Sequence, residues 1–337
     1  MDIKELERKL KEAGEKEEDI IAAKKYAENL NNLNLPVIFD KNHFALLQGR
    51  DLNEISIMMA TLEINYYHKA FIRKKSGGYR ELYIPAVNIR LIQKWILKNI
   101  LYKIPISSYA NGFCKNRSIL TNAQKHLNQE CVINIDIKDF FTSISQQQIY
   151  RIFYYYGYTH QVSYILSRFC TVNGYLPQGG VTSPYLSNIV CLRLDKRLGK
   201  LADKYSAVYT RYADDITFSG NKGIRNMISV VEKIIQEENF EINHSKTRIQ
   251  YSFQRQEITG LIVNSGKVHV SKKYIKKMKK EIYYCKKFGP SSHLQHENIN
   301  KLNYKEHMYG KAYFISMVDR DLGRKILTEL DEIDWER

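Results

Sequence analysis

No apolar run in this sequence approaches the roughly 18 residues that a bilayer-spanning helix needs. The charged opening MDIKELERKLKEAGEKEED holds no apolar stretch of the kind a signal peptide carries. Secretion and membrane insertion are therefore not expected, and the expected location is the cytoplasm. Cysteine is sparse and scattered: Cys114, Cys131, Cys170, Cys191 and Cys285 form no CxxC pair, and their odd number argues against a disulfide framework or a zinc ribbon. Reduced thiols are the reading that remains. No internal repeat and no low-complexity linker divides the chain. Acidic residues are in deficit, 36 Asp plus Glu against 52 Lys plus Arg, for a net charge of +16. Such an excess points to a polyanionic partner, nucleic acid before an anionic membrane surface. With 337 residues the chain can build two or three packed subdomains around a sizeable core.

Residues 1–30 are dense in charge of both signs with widely spaced leucines and isoleucines, the pattern of a solvated helix at a domain edge. Short helical patterns continue from Leu33 to Thr61. Between Tyr66 and Pro85 aromatic and β-branched residues flank Ser76-Gly77-Gly78, which reads as a hairpin with a basic tip. Amphipathic helices are expected over 88–102, 146–157 and 161–170. Another is expected from about Ser183, with Leu186, Ile189, Val190, Leu194, Leu198 and Leu201 on one face. Cys131 to Ile137 reads as a short strand bearing Asp136, Ser206 to Phe218 as a strand pair broken by Asp214-Asp215, and Ile224 to Ile235 as a helical stripe. Strands and helices alternate irregularly, so the expected class is α+β, a sheet with helices on one face. From Lys267 to Lys287 nine lysines stand against one glutamate, half of the net charge, around a stripe of Ile275, Met278, Ile282 and Cys285. A helix laying a basic face along a phosphate backbone explains this better than a merely solvated face.

Three acids mark the expected centre: Asp136 at the end of an apolar strand, and the pair Asp214-Asp215 at a turn between strands. Strand alternation lets at least one carboxylate of the pair converge with Asp136. Carboxylates on a rigid sheet are hard oxygen ligands suited to Mg²⁺, and two such ions can activate an attacking hydroxyl and hold a leaving pyrophosphate. A DD dipeptide alone is a weak signal; its surroundings make the argument.

Tyr212-Ala-Asp-Asp215 resembles the YxDD box of reverse transcriptases, and the neighbouring blocks stand in that family's order. Tyr66 to Pro85 resembles the fingers hairpin, Ile135-Asp-Ile-Lys-Asp-Phe-Phe141 the first metal block, and Leu176-Pro-Gln-Gly-Gly-Val-Thr-Ser-Pro184 the PQG block. Glu241-Ile-Asn-His-Ser-Lys-Thr247 and Ile258-Thr-Gly-Leu-Ile-Val263 are similar to the two blocks that follow the YxDD box. Asn122-Ala-Gln-Lys-His126 fits the NAxxH element of retron reverse transcriptases, and Ile258-Thr259-Gly260 is close to their VTG element. The chain departs from the pattern in Ile for Val there and in GGVTSP for the commoner GAPTSP.

The resemblance implies a right-hand polymerase fold. Residues 1–60 would be an N-terminal helical segment, 61–130 fingers with part of the palm, 131–265 palm with a finger insertion around 146–180, and 266–337 a basic helical thumb. It implies that Asp136, Asp214 and Asp215 hold two Mg²⁺ ions, and that Lys246 neutralises or protonates departing pyrophosphate. Phe141 would exclude a ribose 2′-hydroxyl. Arg80, with Arg73 or Lys74, and Gln178 would contact the incoming dNTP. Asn122, His126, Thr259, Gly260, Lys272, Lys276 and Lys280 would serve RNA or primer binding. The implied activity is copying part of a structured noncoding RNA into DNA from an internal 2′-hydroxyl, giving an RNA–DNA hybrid, in antiphage defence with a separate effector protein. Two alternatives stand beside it: a group II intron-like reverse transcriptase, and an RNA-binding scaffold or antitoxin with a silent site. The 71 residues after Gly266 are fewer than a maturase or RNase H domain would need.

Overall fold

The computed structural model describes residues 1–73, 77–298 and 302–336. Its strands are β1 (Tyr67–Arg73), β2 (Tyr79–Pro85), β3 (Cys131–Asp136), β4 (Val208–Tyr212), β5 (Asp215–Gly220), β6 (Arg248–Tyr251), β7 (Glu257–Ile258), β8 (Leu261–Ile262) and β9 (His269–Val270). All pairings among them are antiparallel and the rest of the regular structure is helical, which is the α+β class. The chain forms two compact units, one of residues 1–113, 137–200 and 230–243, the other of 114–136, 201–229 and 244–337.

The first unit is mostly helical. Its opening charged segment forms two helices, Ile3–Glu12 and Glu17–Asn32, of which the second buries only Ile20, Ala27 and Leu30. The β1–β2 ribbon follows, then a helix, Val87–Asn99, whose buried face is Ile89, Ile92, Gln93 and Ile96. Helices Gln146–Tyr155 and His160–Cys170 start where Ser145 and Thr159 cap them, each side chain accepting from a backbone N–H of the first turn. The long apolar stripe that begins at Ser183 is not one helix. It is interrupted at Cys191, whose ψ of 2° ends the helix Ser183–Val190 before the next runs from Leu192 to Lys204.

The second unit holds a four-stranded sheet in the order β4-β5-β3-β6, with β3 as an interior strand. Five of the six residues of β3 are buried, as expected of a strand covered on both faces. The unit also holds a three-stranded sheet, β7-β8-β9, the short helix Ile119–Gln124, and the helices Lys272–Phe288, Pro290–His296, Tyr304–Val318 and Arg320–Asp331. The lysine-rich segment becomes helical only at Lys272, after Ser271 caps the first turn; residues just before it form β9. Met278, Ile282 and Cys285 enter one core with Met308, Ile315, Ile326 and Leu330. Glu281 lies on that same buried face, held by Lys311 at 2.8 Å and by the Tyr304 hydroxyl at 3.3 Å. The stripe of Ile224 to Ile235 is a 3-10 turn, Lys222–Met227, in this unit, followed by the helix Ile228–Glu237, whose residues from Val230 on belong to the first unit.

Candidate active site

The acidic centre is built by strand register within the second unit. β3 and β5 pair so that Asp136 lies directly opposite Asp215, and β4 and β5 pair Tyr212 with Asp215, leaving Ala213 and Asp214 as a two-residue turn. Ala213 takes a φ of +58°, the left-handed conformation such tight hairpins require. Arg211, fully buried, donates from Nη1 to the Ala213 carbonyl at 3.2 Å and so braces the turn from inside. One register thus brings the three aspartates to one end of the sheet.

Their charges are felt locally. Asp215 is solvent-accessible at the strand end, yet its carboxyl is pushed up to about 6 from an ordinary 3.8, first by desolvation, then by Asp214 and Asp136, with Lys246 and Arg248 opposing. Asp136 is 7% exposed, and Lys246 donates to both its oxygens, at 2.8 and 3.0 Å. Among the described residues no three ligating side chains already close around one point. The mutual repulsion of three hard oxygen ligands is nevertheless what a divalent cation relieves, so the residues fit one.

In the first unit, Phe141 is half-exposed and its ring lies 6.1 Å from that of Phe113 and 5.4 Å from that of Phe140. Phe140 is buried and packs on Phe240 with ring centroids 5.8 Å apart. Gln178, half-buried, accepts the Tyr83 N–H at 2.8 Å through its backbone carbonyl. That approach demands the following glycine: Gly179 has a φ of +109°, and a Cβ there would sit 2.9 Å from the Tyr83 carbonyl oxygen. Register separates the two arginines of the ribbon. Ile72 pairs with Arg80 and Arg73 with Tyr79, so Arg73 and Arg80 project from opposite faces, and a ligand on one face meets one of them. Both are exposed, and Lys74 lies outside the described residues.

Asn122 and His126 of the NAxxH element are both buried, while Gln124 and Lys125 between them are exposed. His126 is fully buried, with Nδ1 2.7 Å from the Ser219 hydroxyl on β5 and Nε2 2.7 Å from the Thr210 hydroxyl on β4. Burial pushes it down to about 3, so the ring is neutral and clamps the two strands that carry the YADD turn. Asn122 is 1% exposed, on the short helix Ile119–Gln124. That helix packs on the β7–β8 hairpin, Ala123 sharing a core with Ile258 and Leu261. Thr259 and Gly260 form the hairpin's turn, both at positive φ, +46° and +84°. Glycine accepts this conformation freely; a β-branched threonine does not, so Thr259 is a strained position. Its hydroxyl is buried, and Gly260 is exposed. Lys272, Lys276 and Lys280 are exposed on their helix, Lys280 lying 5.5 Å above the Tyr284 ring.

Sequence reasoning missed Gln93. Fully buried, it donates to the Tyr67 hydroxyl at 2.7 Å and to the Phe169 carbonyl at 2.8 Å, and accepts from the Val181 N–H at 3.0 Å. It thereby ties β1 and the helix His160–Cys170 to the loop bearing Gln178. The available signal was a glutamine within an isoleucine stripe, since a polar residue on a core-facing position requires partners.

The family model described as reverse transcriptase (RNA-dependent DNA polymerase) matches residues 72–294. The chain is 30% identical to the retron Ec86 reverse transcriptase of Escherichia coli over 312 residues, covering 90% of this chain and 92% of that one. It is 32% identical to the retron Mx162 reverse transcriptase of Myxococcus xanthus over 304 residues, 80% of this chain and 61% of that one. With the retron Mx65 reverse transcriptase of the same organism it shares 35% over 234 residues, 64% and 55% of the two chains. Enzymes of this family work with divalent metal ions on an RNA template. The chain belongs to the reverse transcriptase family and, within it, to the retron type: an RNA-directed DNA polymerase.

Proposed function

We propose that this polymerase binds a structured noncoding RNA, primes from an internal 2′-hydroxyl of that RNA, and copies part of it into DNA, leaving an RNA–DNA hybrid. The observation that carries the catalytic part is the register that sets Asp136 against Asp215 with Asp214 in the adjoining turn. Asp136, Asp214 and Asp215 would hold two Mg²⁺ ions. When bound, such ions favour the deprotonated attacking hydroxyl and offset charge on the leaving pyrophosphate. The protein's own groups do the rest. Lys246, released from Asp136, offers its ammonium to the departing pyrophosphate. Phe141 closes the space beside the sugar, Gln178 and one ribbon arginine bind the incoming dNTP, and the exposed lysines of Lys272–Phe288 hold RNA phosphates. Thr259 and Gly260 lie on the hairpin read as gripping the primer terminus. Kinship with retron enzymes also supports a separate effector protein and a part in antiphage defence.

The test is Asp214→Asn in the purified chain with a primed RNA template. Incorporation of dNTPs should fall by roughly 1,000-fold or more while RNA affinity stays within about twofold, because phosphate contacts come from lysines elsewhere. A parallel loss of RNA binding and synthesis would argue against this assignment.

A further inference from the structure

The helix Lys272–Phe288 carries more than lysine on its outer side. Met278, Glu281, Ile282 and Cys285 are its buried residues. At 3.6 residues per turn the side opposite them is centred close to residue 283. Tyr283 stands there, 54% exposed, with Lys279 and Lys280 one turn before it and Lys286 and Lys287 one turn after. All four lysines are exposed. The Lys287 ammonium lies 5.6 Å from the centre of the Tyr283 ring and 5.1 Å from that of Phe288.

At the end of the helix the rings form a ladder that leads out of the protein. Gly289 ends the helix at a φ of +85°, and the next helix, Pro290–His296, sets His293 on Tyr284 with ring centroids 5.6 Å apart and planes within 15°. Tyr284 in turn stacks on Phe288 at 6.1 Å and 20°. Exposure rises along the series, from 6% at His293 through half-buried Tyr284 to 50% at Phe288. Packing of the two helices accounts for the inner rings. It does not account for Phe288 or Tyr283, neither of which enters the core that Met278, Ile282 and Cys285 build with the later helices. Two large aromatic side chains held half in water on a charged face mark a binding surface.

Charge complementarity says what binds. Between Lys267 and Lys287 the one carboxylate, Glu281, is buried and held by Lys311. Lys286 is paired with Glu332 at 2.5 Å, and Lys280 lies 3.9 Å from Glu297. Among the described residues Lys279 and Lys287 have no carboxylate partner, so their charges are open to a polyanion. A duplex hides its base faces and would use the lysines alone. Open ring faces beside open ammonium groups fit a strand that offers phosphates and unstacked bases together. Tyr283 and Phe288 lie about 7.5 Å apart along the helix axis and about 140° apart around it, too far to serve one pair of stacked bases. They are separate platforms for bases splayed apart.

We propose that this side of the helix grips an unpaired segment of the bound RNA, one base stacking on Tyr283 and another on Phe288, with Lys279 and Lys287 on the phosphates. The inference rests on the RNA-binding reading above and adds base stacking, hence a preference for unpaired RNA, to the phosphate contacts already assigned to this helix. Lys287, which reaches both rings, is placed to follow the phosphates that link the two bases. Because every base has a π-face, the preference is for single strands and not for a sequence.

The test measures fluorescence anisotropy of the full chain with a labelled single-stranded RNA of about 12 nucleotides and with the same strand in a duplex. Tyr283→Leu and Phe288→Leu keep apolar bulk and helix propensity and remove the ring faces. Each should weaken single-strand binding by roughly 5- to 100-fold, with duplex affinity held within about twofold and the salt slope unchanged, since no charge is lost. Tyr283→Trp and Phe288→Trp should bind as wild type does. Unchanged single-strand affinity in both leucine variants overturns the proposal and leaves the rings to a protein partner. Equal losses on single strand and duplex overturn it too, making the rings a mere support for the lysines. A DNA strand of the same sequence, run in parallel, distinguishes the RNA from its DNA copy: a loss confined to DNA overturns the assignment to RNA. Failure of wild type to bind either RNA would overturn the RNA-binding reading itself, a result distinct from wild-type binding with silent variants.

Discussion

Replacing His126 by alanine tests whether the NAxxH histidine is an internal clamp. The ring makes two 2.7 Å hydrogen bonds, to Ser219 and Thr210, in a fully buried site. Its loss strands two buried hydroxyls, at about 1–3 kcal/mol each, and leaves a ring-sized void worth roughly 2 kcal/mol more. With partial relaxation, a loss of about 4 kcal/mol is expected, read as a lower urea midpoint at unchanged slope. The wild type carries a matching pH signature. The imidazole sits at about 3 in the folded chain against 6.5 ordinarily, so the folded state requires the neutral ring. Its stabilisation is complete above pH 6.5 and is lost as pH falls from there towards 3, on the order of 5 kcal/mol in the limit. His126→Ala should lack that component. Because Thr210 and Ser219 flank the YADD turn, synthesis should fall alike on the cognate RNA and on a generic annealed primer. A variant within about 1 kcal/mol of wild type that selectively loses the cognate RNA would refute this reasoning.

Phe141→Val should open space beside the sugar and raise ribonucleotide relative to deoxyribonucleotide incorporation by roughly 10-fold or more, measured as a ratio of kcat/KM values; an unchanged ratio removes Phe141 from that role. Gln93→Leu leaves the Tyr67 hydroxyl, the Phe169 carbonyl and the Val181 N–H without their partner. We expect about 2–4 kcal/mol of destabilisation in a urea titration, together with a raised KM for dNTPs as the Gln178 loop loosens. Replacing Lys272, Lys276 and Lys280 by Gln should reduce the slope of log RNA affinity against log salt by about 2 to 3, while catalysis at saturating template changes little. An unchanged slope would place the RNA elsewhere, and a thermal melt checks that the buried face of Met278 and Ile282 still folds.

Local patterns carry information where each residue's fate depends on its near neighbours. The apolar run before Asp136, the tight turn of Tyr212-Ala-Asp-Asp215 and the lysine-flanked stripe ending at Cys285 are such cases, and element type, the α+β class and the candidate catalytic acids follow from them. The limits are equally specific. Periodicity did not show the interruption at Cys191, a backbone feature within a continuous apolar stripe. Nor did it distinguish His126 or Gln93 from surface residues. Their burial is decided by partners 93 and 84 residues from His126 and 76 and 88 residues from Gln93, which the chain brings together only when folded. The ribbon arginines both read as basic tip residues, and only the pairing of Arg73 with Tyr79 and Arg80 with Ile72 sends them to opposite faces. Sequence alone singled out Asp136, Asp214 and Asp215 as the candidate carboxylates, because the acids sit in recognisable local blocks. Tertiary structure alone decided that Asp136 faces Asp215 and that Lys246 neutralises Asp136. Long-range strand pairing and polar burial are settled by the free energy of the whole core, and no short stretch of sequence encodes them.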